Sequence, residues 1–191
     1  MASKTRDLHV TGIVVGRKGT GKSTKLAKIA SAYPADSKVL IIDVNGSPAY
    51  NQFKEITINQ VKLLRKGVVR LLGTPSTETL LIIARDFRDG LVIFEDCTKY
   101  IEGNVRPEIK TFLVDHRMFR VDLIFTFHSL KRVPPFFWEM ISYVTLLKTQ
   151  ETFSQGMYRN RVPNYEKVLA AFNKVNAHPD NYYSITVETL I

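Results

Sequence analysis

With 191 residues, 45% of them apolar and 24% charged, the chain is expected to form one domain, residues 1–191, with a substantial core. The single Cys97 excludes an internal disulfide framework and fits a reducing compartment. No apolar run reaches the length of a membrane span, and the formal net charge of +9 points to a polyanionic partner.

The opening segment, MASKTRDLHV, lacks the apolar stretch of a secretory signal, so a soluble, cytoplasmic chain is expected. Residues 8–15 (LHVTGIVV) are β-branched and apolar and read as a buried strand. Gly16-Arg17-Lys18-Gly19-Thr20-Gly21-Lys22-Ser23 follows, a complete G-x-x-x-x-G-K-[ST] phosphate loop. Residues 22–32 then place Leu26, Ile29 and Ala30 on one helical face. Strand, glycine loop and helix N-terminus together make an anion site, in which backbone N–H groups wrap phosphates with help from the helix dipole. Lys22 is expected to reach the β and γ phosphates, the Ser23 hydroxyl to ligate Mg²⁺, and Thr24 to complete the cradle. The expected cofactors are ATP and Mg²⁺.

Residues 38–44 form a second buried strand, ending in the turn Asn45-Gly46-Ser47-Pro48. A short edge strand is expected at 55–58, a short helix at 59–66 and a strand at 68–72. Pro75 opens a helix that runs to about Arg88 and stops at Asp89-Gly90. Residues 91–94 (LVIF) are the next strand, closed by Glu95-Asp96. A helix over 107–119 leads into the core strand 121–127 (VDLIFTF). Pro134-Pro135 begins a short helix through Met140. A strand at 144–147, an amphipathic helix at 164–176 and a last strand at 182–187 complete the chain. Alternating strands and helices give an α/β class with a mainly parallel sheet flanked by helices. Ligands in such sheets bind at the carboxyl ends of strands, where Ser23, Asp43, Glu95, Asp96 and His128 all fall.

Triphosphate hydrolysis needs a carboxylate to hold Mg²⁺ and a base to orient the attacking water. Glu95-Asp96 is the adjacent acidic pair that follows an apolar strand. Glu95 is assigned to the metal and Asp96 to the water. Asp43 competes for that role, although an Asp at a strand end also caps turns. His128 follows IFTF, on a strand that can lie beside the phosphate loop. It is a candidate to feel the γ-phosphate, with a hydrogen-bonded core histidine as the alternative. Arg117 and Arg120 are candidates to stabilise transition-state charge across a subunit boundary, with surface salt bridges as the alternative.

Three segments in order, GRKGTGKS, LVIFEDCTKYI and VDLIFTFHSLKRVPP, resemble the FtsK–HerA superfamily of ring-forming, nucleic-acid-pumping ATPases. The resemblance spans about residues 8–150 and implies a RecA-like (ASCE) P-loop NTPase fold. In length the chain most resembles the genome-packaging ATPases of tailless, membrane-containing icosahedral viruses. The family's polar sensor, commonly Gln, corresponds to His128, and the Glu-Asp order departs from the usual Asp-Glu. The resemblance implies double-stranded DNA as partner, a homo-oligomeric ring, capsid or membrane proteins of a virion as further partners, and a place in the host cytoplasm or the virion. The zonula-occludens-toxin-like phage assembly ATPases are close in pattern. A small-molecule kinase and a non-catalytic nucleotide switch are the competing functional classes. Scattered Lys and Arg, among them Lys99, Lys131 and Arg132, fit contact with a nucleic-acid backbone rather than reading of bases.

Overall fold

Short runs rich in Val, Ile, Leu and Phe cannot expose either face to water, so they must stack side by side between two covering layers. The computed structural model describes residues 9–101, 107–153 and 155–189 and places these runs in one eight-stranded sheet. The strands are β1 (Thr11–Val15), β2 (Lys38–Asp43), β3 (Lys54–Glu55), β4 (Gly67–Leu72), β5 (Gly90–Phe94), β6 (Val121–Phe127), β7 (Tyr143–Leu146) and β8 (Ile185–Glu188). Their order across the sheet is β3-β4-β2-β5-β6-β1-β7-β8. Every neighbouring pair is parallel except β7 with β8. The helices are α1 (Lys22–Ala32), α2 (Thr77–Asp86), α3 (Pro107–Asp115), α4 (Pro135–Met140), α5 (Gln155–Tyr158) and α6 (Tyr165–Ala177).

Strand alternation sends side chains to two separate cores. Val14, Val39, Ile41, Leu91 and Ile93 meet Leu26, Ala27 and Ala30 of α1 on one face. Ile13, Leu40, Val92, Phe94, Phe125 and Phe127 meet residues of α2, α3, α4 and α6 on the other. An aromatic layer ties that second core together. Phe94 and Phe125 stack with ring centroids 4.7 Å apart, and Phe137 of α4 meets Phe125 edge-on at 4.8 Å. Phe112 of α3 approaches Phe94 edge-on at 5.9 Å.

The strand and helix pattern agrees with the sequence reading, with local differences. The helix expected over 107–119 ends at Asp115. Arg120 takes φ +53°, and the buried His116 ring is held by Val121 O at 2.7 Å and Thr11 Oγ1 at 3.2 Å, so the chain turns there into β6. The helix expected over 59–66 is a 3₁₀ segment, Ile58–Leu63, with Gln60 Oε1 accepting from Thr57 N. The edge strand contracts to two residues. The last strand begins at Ile185 rather than 182, because Asp180 Oδ1 accepts from Tyr182 N and makes a turn. Leu8, the expected first strand residue, lies outside the described residues. Among the described residues, no helix is long and apolar enough to cross a membrane.

Phe125 touches both the strand layer and α4, and none of its surface is exposed. Phe125→Ala should therefore lower unfolding free energy by about 3–5 kcal/mol, read by urea denaturation. A loss below about 1 kcal/mol would show that the layer can close around the gap.

Candidate active site

The loop after β1 leaves the sheet pinned on both sides. Gly16 N donates to Phe127 O at 3.1 Å, and Arg17 N donates to Lys148 O at 2.8 Å. A Cβ at Gly16 would stand 2.7 Å from Leu147 Cβ, so this position has no room for a side chain. Thr20 Oγ1 donates back to Arg17 O at 2.8 Å. Gly21 takes φ +79°, a left-handed conformation that glycine adopts without steric cost, and α1 starts at the next residue. The first-turn N–H groups of a helix have no intrahelical acceptor, so the start of α1 offers donors and a positive dipole end to an anion.

Lys22 Nζ reaches across the loop and donates to Gly16 O at 2.6 Å and Arg17 O at 3.0 Å. Burial lowers its pKa to about 8, against the raising effect of Asp96 and Glu95. Ser23 Oγ donates to Glu95 Oε1, which also accepts from Tyr50 OH at 3.0 Å. Glu95 Oε2 is buried with no hydrogen-bond partner among the described residues. Burial raises the Glu95 pKa, the Ser23 and Tyr50 hydrogen bonds oppose that shift, and the charges of Asp43 and Asp96 add to it. A hydroxyl beside an unmatched carboxylate oxygen is an all-oxygen donor set, which fits a hard cation such as Mg²⁺.

Asp96 sits differently, although it is the next residue. Its N donates to Thr126 Oγ1 at 2.7 Å. Its Oδ1 lies 2.8 Å from His128 Nε2 and accepts from Thr98 Oγ1 at 2.8 Å. Its Oδ2 accepts from Asn45 Nδ2 at 3.0 Å, and Lys99 Nζ stands 3.5 Å away. The His128 hydrogen bond, joined by those from Asn45 and Thr98, holds the Asp96 carboxyl well below the usual carboxylate range despite partial burial. Lys99 also donates to Asn45 Oδ1.

These groups share one cleft of about 810 Å³ at the carboxyl ends of β1, β5 and β6. Lys18, Gly19, Gly21, Lys22, Ser23 and Thr24 line one wall, and Glu95, Asp96, Thr126 and His128 another. Asn45, Gly46 and Ser47 close a third side, and Tyr182 stands at the rim beside Gly21.

Asp43, the competing carboxylate, is fully buried and committed elsewhere. Its Oδ1 accepts from Ser47 N at 2.9 Å, and its Oδ2 lies 3.4 Å from Arg70 Nη1. It holds the turn after β2 and does not line the cleft. Cys97 is buried, and burial pushes its thiol up to about 12, so it packs rather than reacts. Arg117 and Arg120 precede β6, whereas the cleft lies beyond its far end, roughly 23 Å of strand away. Arg117 is exposed and Arg120 pairs with Asp89, so the fold brings neither to the cleft of the same chain. Asn45, Tyr50 and Tyr182 join the site without having been singled out by the sequence. The position of Asn45 just beyond a strand end was a usable signal, while Tyr50 and Tyr182 carry none.

No protein-family model and no curated sequence matches the chain. Solved structures share its fold. The genome packaging NTPase B204 of Sulfolobus turreted icosahedral virus 2, in complex with ATP-gammaS, aligns with a TM-score of 0.72 at 17% identity, over 95% of this chain and 92% of that one. B204 of Sulfolobus turreted icosahedral virus, a DNA-packaging ATPase, aligns with a TM-score of 0.66 at 16% identity, over 94% and 92%. The N-terminal domain of zonular occludens toxin from Neisseria meningitidis aligns with a TM-score of 0.50 at 14% identity, over 76% and 80%.

The two carboxylates should separate under substitution. Asp96→Asn is expected to keep ATP bound while hydrolysis falls by about 100-fold or more, read by equilibrium binding and single-turnover assays. Glu95→Gln should instead weaken Mg²⁺-dependent nucleotide binding. Normal turnover by Asp96→Asn together with an inactive Asp43→Asn would move the water-orienting role to Asp43.

Proposed function

We propose that the protein is an ATP-driven double-stranded DNA translocase, a viral genome-packaging ATPase that works as a homo-oligomeric ring. The observation that carries this reading is the convergence of Lys22, Ser23, Glu95, Asp96 and His128 on one cleft beside a phosphate loop. The B204 structures, which share the fold over most of the chain, are of a DNA-packaging enzyme and support it. The net charge of +9 suits a polyanionic partner. The place of action is the host cytoplasm or the assembling virion, with capsid or membrane proteins of the virion as further partners.

In this mechanism the loop N–H groups and α1 hold the phosphates. Lys22 exchanges its contacts with the loop carbonyls for β and γ phosphate oxygens, where negative charge grows in the transition state. Ser23 and Glu95 would hold Mg²⁺, which supplies charge neutralisation at the phosphates when bound. Asp96 orients the attacking water. Its two oxygens offer about four lone-pair positions, and His128, Thr98 and Asn45 fill three of them, leaving one for a water proton. His128 polarises Asp96 and connects it to the next turn, where Lys131 and Arg132 are exposed. Glu151 stiffens that turn by accepting from Leu130 N at 2.6 Å and Lys131 N at 3.1 Å, and Tyr158 OH donates to it at 3.2 Å. This continuity from Asp96 to a basic turn is the proposed route from hydrolysis to DNA.

Phosphate release measured with and without duplex DNA tests the reading. DNA should stimulate turnover, and Lys22→Ala should remove it by about 100-fold or more without unfolding the protein. With Lys99, Lys131 and Arg132 on the backbone, duplex affinity should fall about 40-fold between 50 and 200 mM salt and show little sequence preference. Affinity that is flat with salt would reject the motor. Transfer of the phosphoryl group to a small acceptor in place of release would bring the kinase forward.

Arg117 and Arg120 are proposed to act in trans, each reaching a neighbouring subunit's cleft from the amino-end edge of the sheet. An inactive Lys22→Ala protein mixed with an inactive Arg117→Ala or Arg120→Ala protein should then recover part of the activity. An arginine supplied this way is worth about 10³-fold or more in rate. Full activity of the monomer at high dilution would end the ring.

A further inference from the structure

We infer that Tyr182 is the base shelf of the nucleotide site, its ring stacking on the nucleobase of the triphosphate whose phosphates the loop holds. The inference rests on the nucleotide reading above and extends it to the other end of the ligand.

Tyr182 is 69% exposed, yet it stands in an anchored segment. Its N donates to Asp180 Oδ1 at 2.8 Å, and Asp180 N donates to His178 Nδ1 at 3.1 Å. Tyr183 stacks on His178 with centroids 3.8 Å apart. Two residues on, Ser184 Oγ accepts from Lys25 Nζ at 2.9 Å, which ties the segment to the first turns of α1. Fixed on both sides, the backbone presents the phenol ring to the rim of the cleft. A Cβ built on Gly21 would meet Tyr182 Cδ1 at 2.9 Å, so the ring lies directly against the loop. Gly21 thus provides both the left-handed turn and the space for the ring.

A large aromatic side chain left open on a stiffened turn has little conformational freedom to lose on binding. A flat ring beside a phosphate site meets the one part of a nucleoside triphosphate that is itself flat and apolar on its faces. Stacking engages the π-face rather than the hydrogen-bonding edge of a base. Tyr182 therefore favours purines over pyrimidines through their larger faces and separates adenine from guanine only weakly.

The test compares two ligands on the full chain, a non-hydrolysable ATP analogue and inorganic tripolyphosphate, by equilibrium binding. Tyr182→Ala should weaken the ATP analogue about tenfold and leave tripolyphosphate within about twofold. Tyr182→Phe should keep the wild-type affinity for both, and the purine preference should disappear in Tyr182→Ala alone. Unchanged binding of the ATP analogue by Tyr182→Ala would overturn the inference. Equal loss of both ligands would also overturn it, since the ring would then be supporting the loop. Lys22→Ala distinguishes the deeper failure: if it weakens neither ligand, or if the wild type binds neither, the phosphate-loop reading falls and takes this inference with it.

Discussion

Backbone pairing of β6 with β1 on one side and β5 on the other determines where each group of the cleft can stand. The register sets Val15 opposite Phe127 and Phe94 opposite Phe125. The phosphate loop, the acidic pair and His128 therefore leave the sheet at nearly the same level. Without β6 in the middle, Lys22 and Asp96 would emerge from neighbouring strands with nothing between them to receive Asp96 N or to brace its carboxylate. Thr126 and His128, alternate residues of the same strand run, supply both. The stacked Phe94 and Phe125 hold β5 and β6 to that register from the core side.

The site keeps a lysine and two carboxylates partly out of water, and it does so by treating the carboxylates in opposite ways. Burial dominates at Glu95 and favours its neutral form, while hydrogen bonds dominate at Asp96 and favour its charged form. Adjacent acids driven apart in this way can take different roles within one reaction. A metal bound beside Ser23 would supply the positive charge that Glu95 lacks from the protein. Asp96 needs no such help, because His128, Asn45 and Thr98 already stabilise its charge.

The sequence was most legible where local chemistry is strict. The loop motif allows few alternatives once a β-branched strand precedes it and a helix follows, and Gly16 through Gly21 do run from the end of β1 to the start of α1. The strand runs were readable because both faces are buried, which forces continuous apolar stretches. Tyr50 is not readable, since it reaches the acidic pair through the adjacency of β2 and β5, a relation with no mark in either segment, and Asn45 shows only as a polar residue just beyond a strand end. The apolar alternation around Tyr182 imitates a strand, whereas the hydrogen bond that Tyr182 N donates to the Asp180 carboxylate decides the local conformation. The helix ending at Asp115 shows the same limit. His116 is drawn toward Thr11, more than a hundred residues away, and helical periodicity cannot register that pull.

The backbone at Asp96 carries one more consequence. Its φ of +48° lies in the left-handed region, which short Asp and Asn side chains tolerate better than longer or branched ones. The conformation turns the chain sharply at the end of β5 and aims the carboxylate at His128, while Glu95, still in line with the strand, extends its longer side chain toward Ser23. The order Glu-Asp is therefore matched to the shape of the corner: the long acid stands where the chain is straight and the short one where it bends. Exchanging the two would place a glutamate on the bend and leave the aspartate one methylene short of the serine. The order of the pair is in this sense a property of the main chain, written into the identities of two side chains.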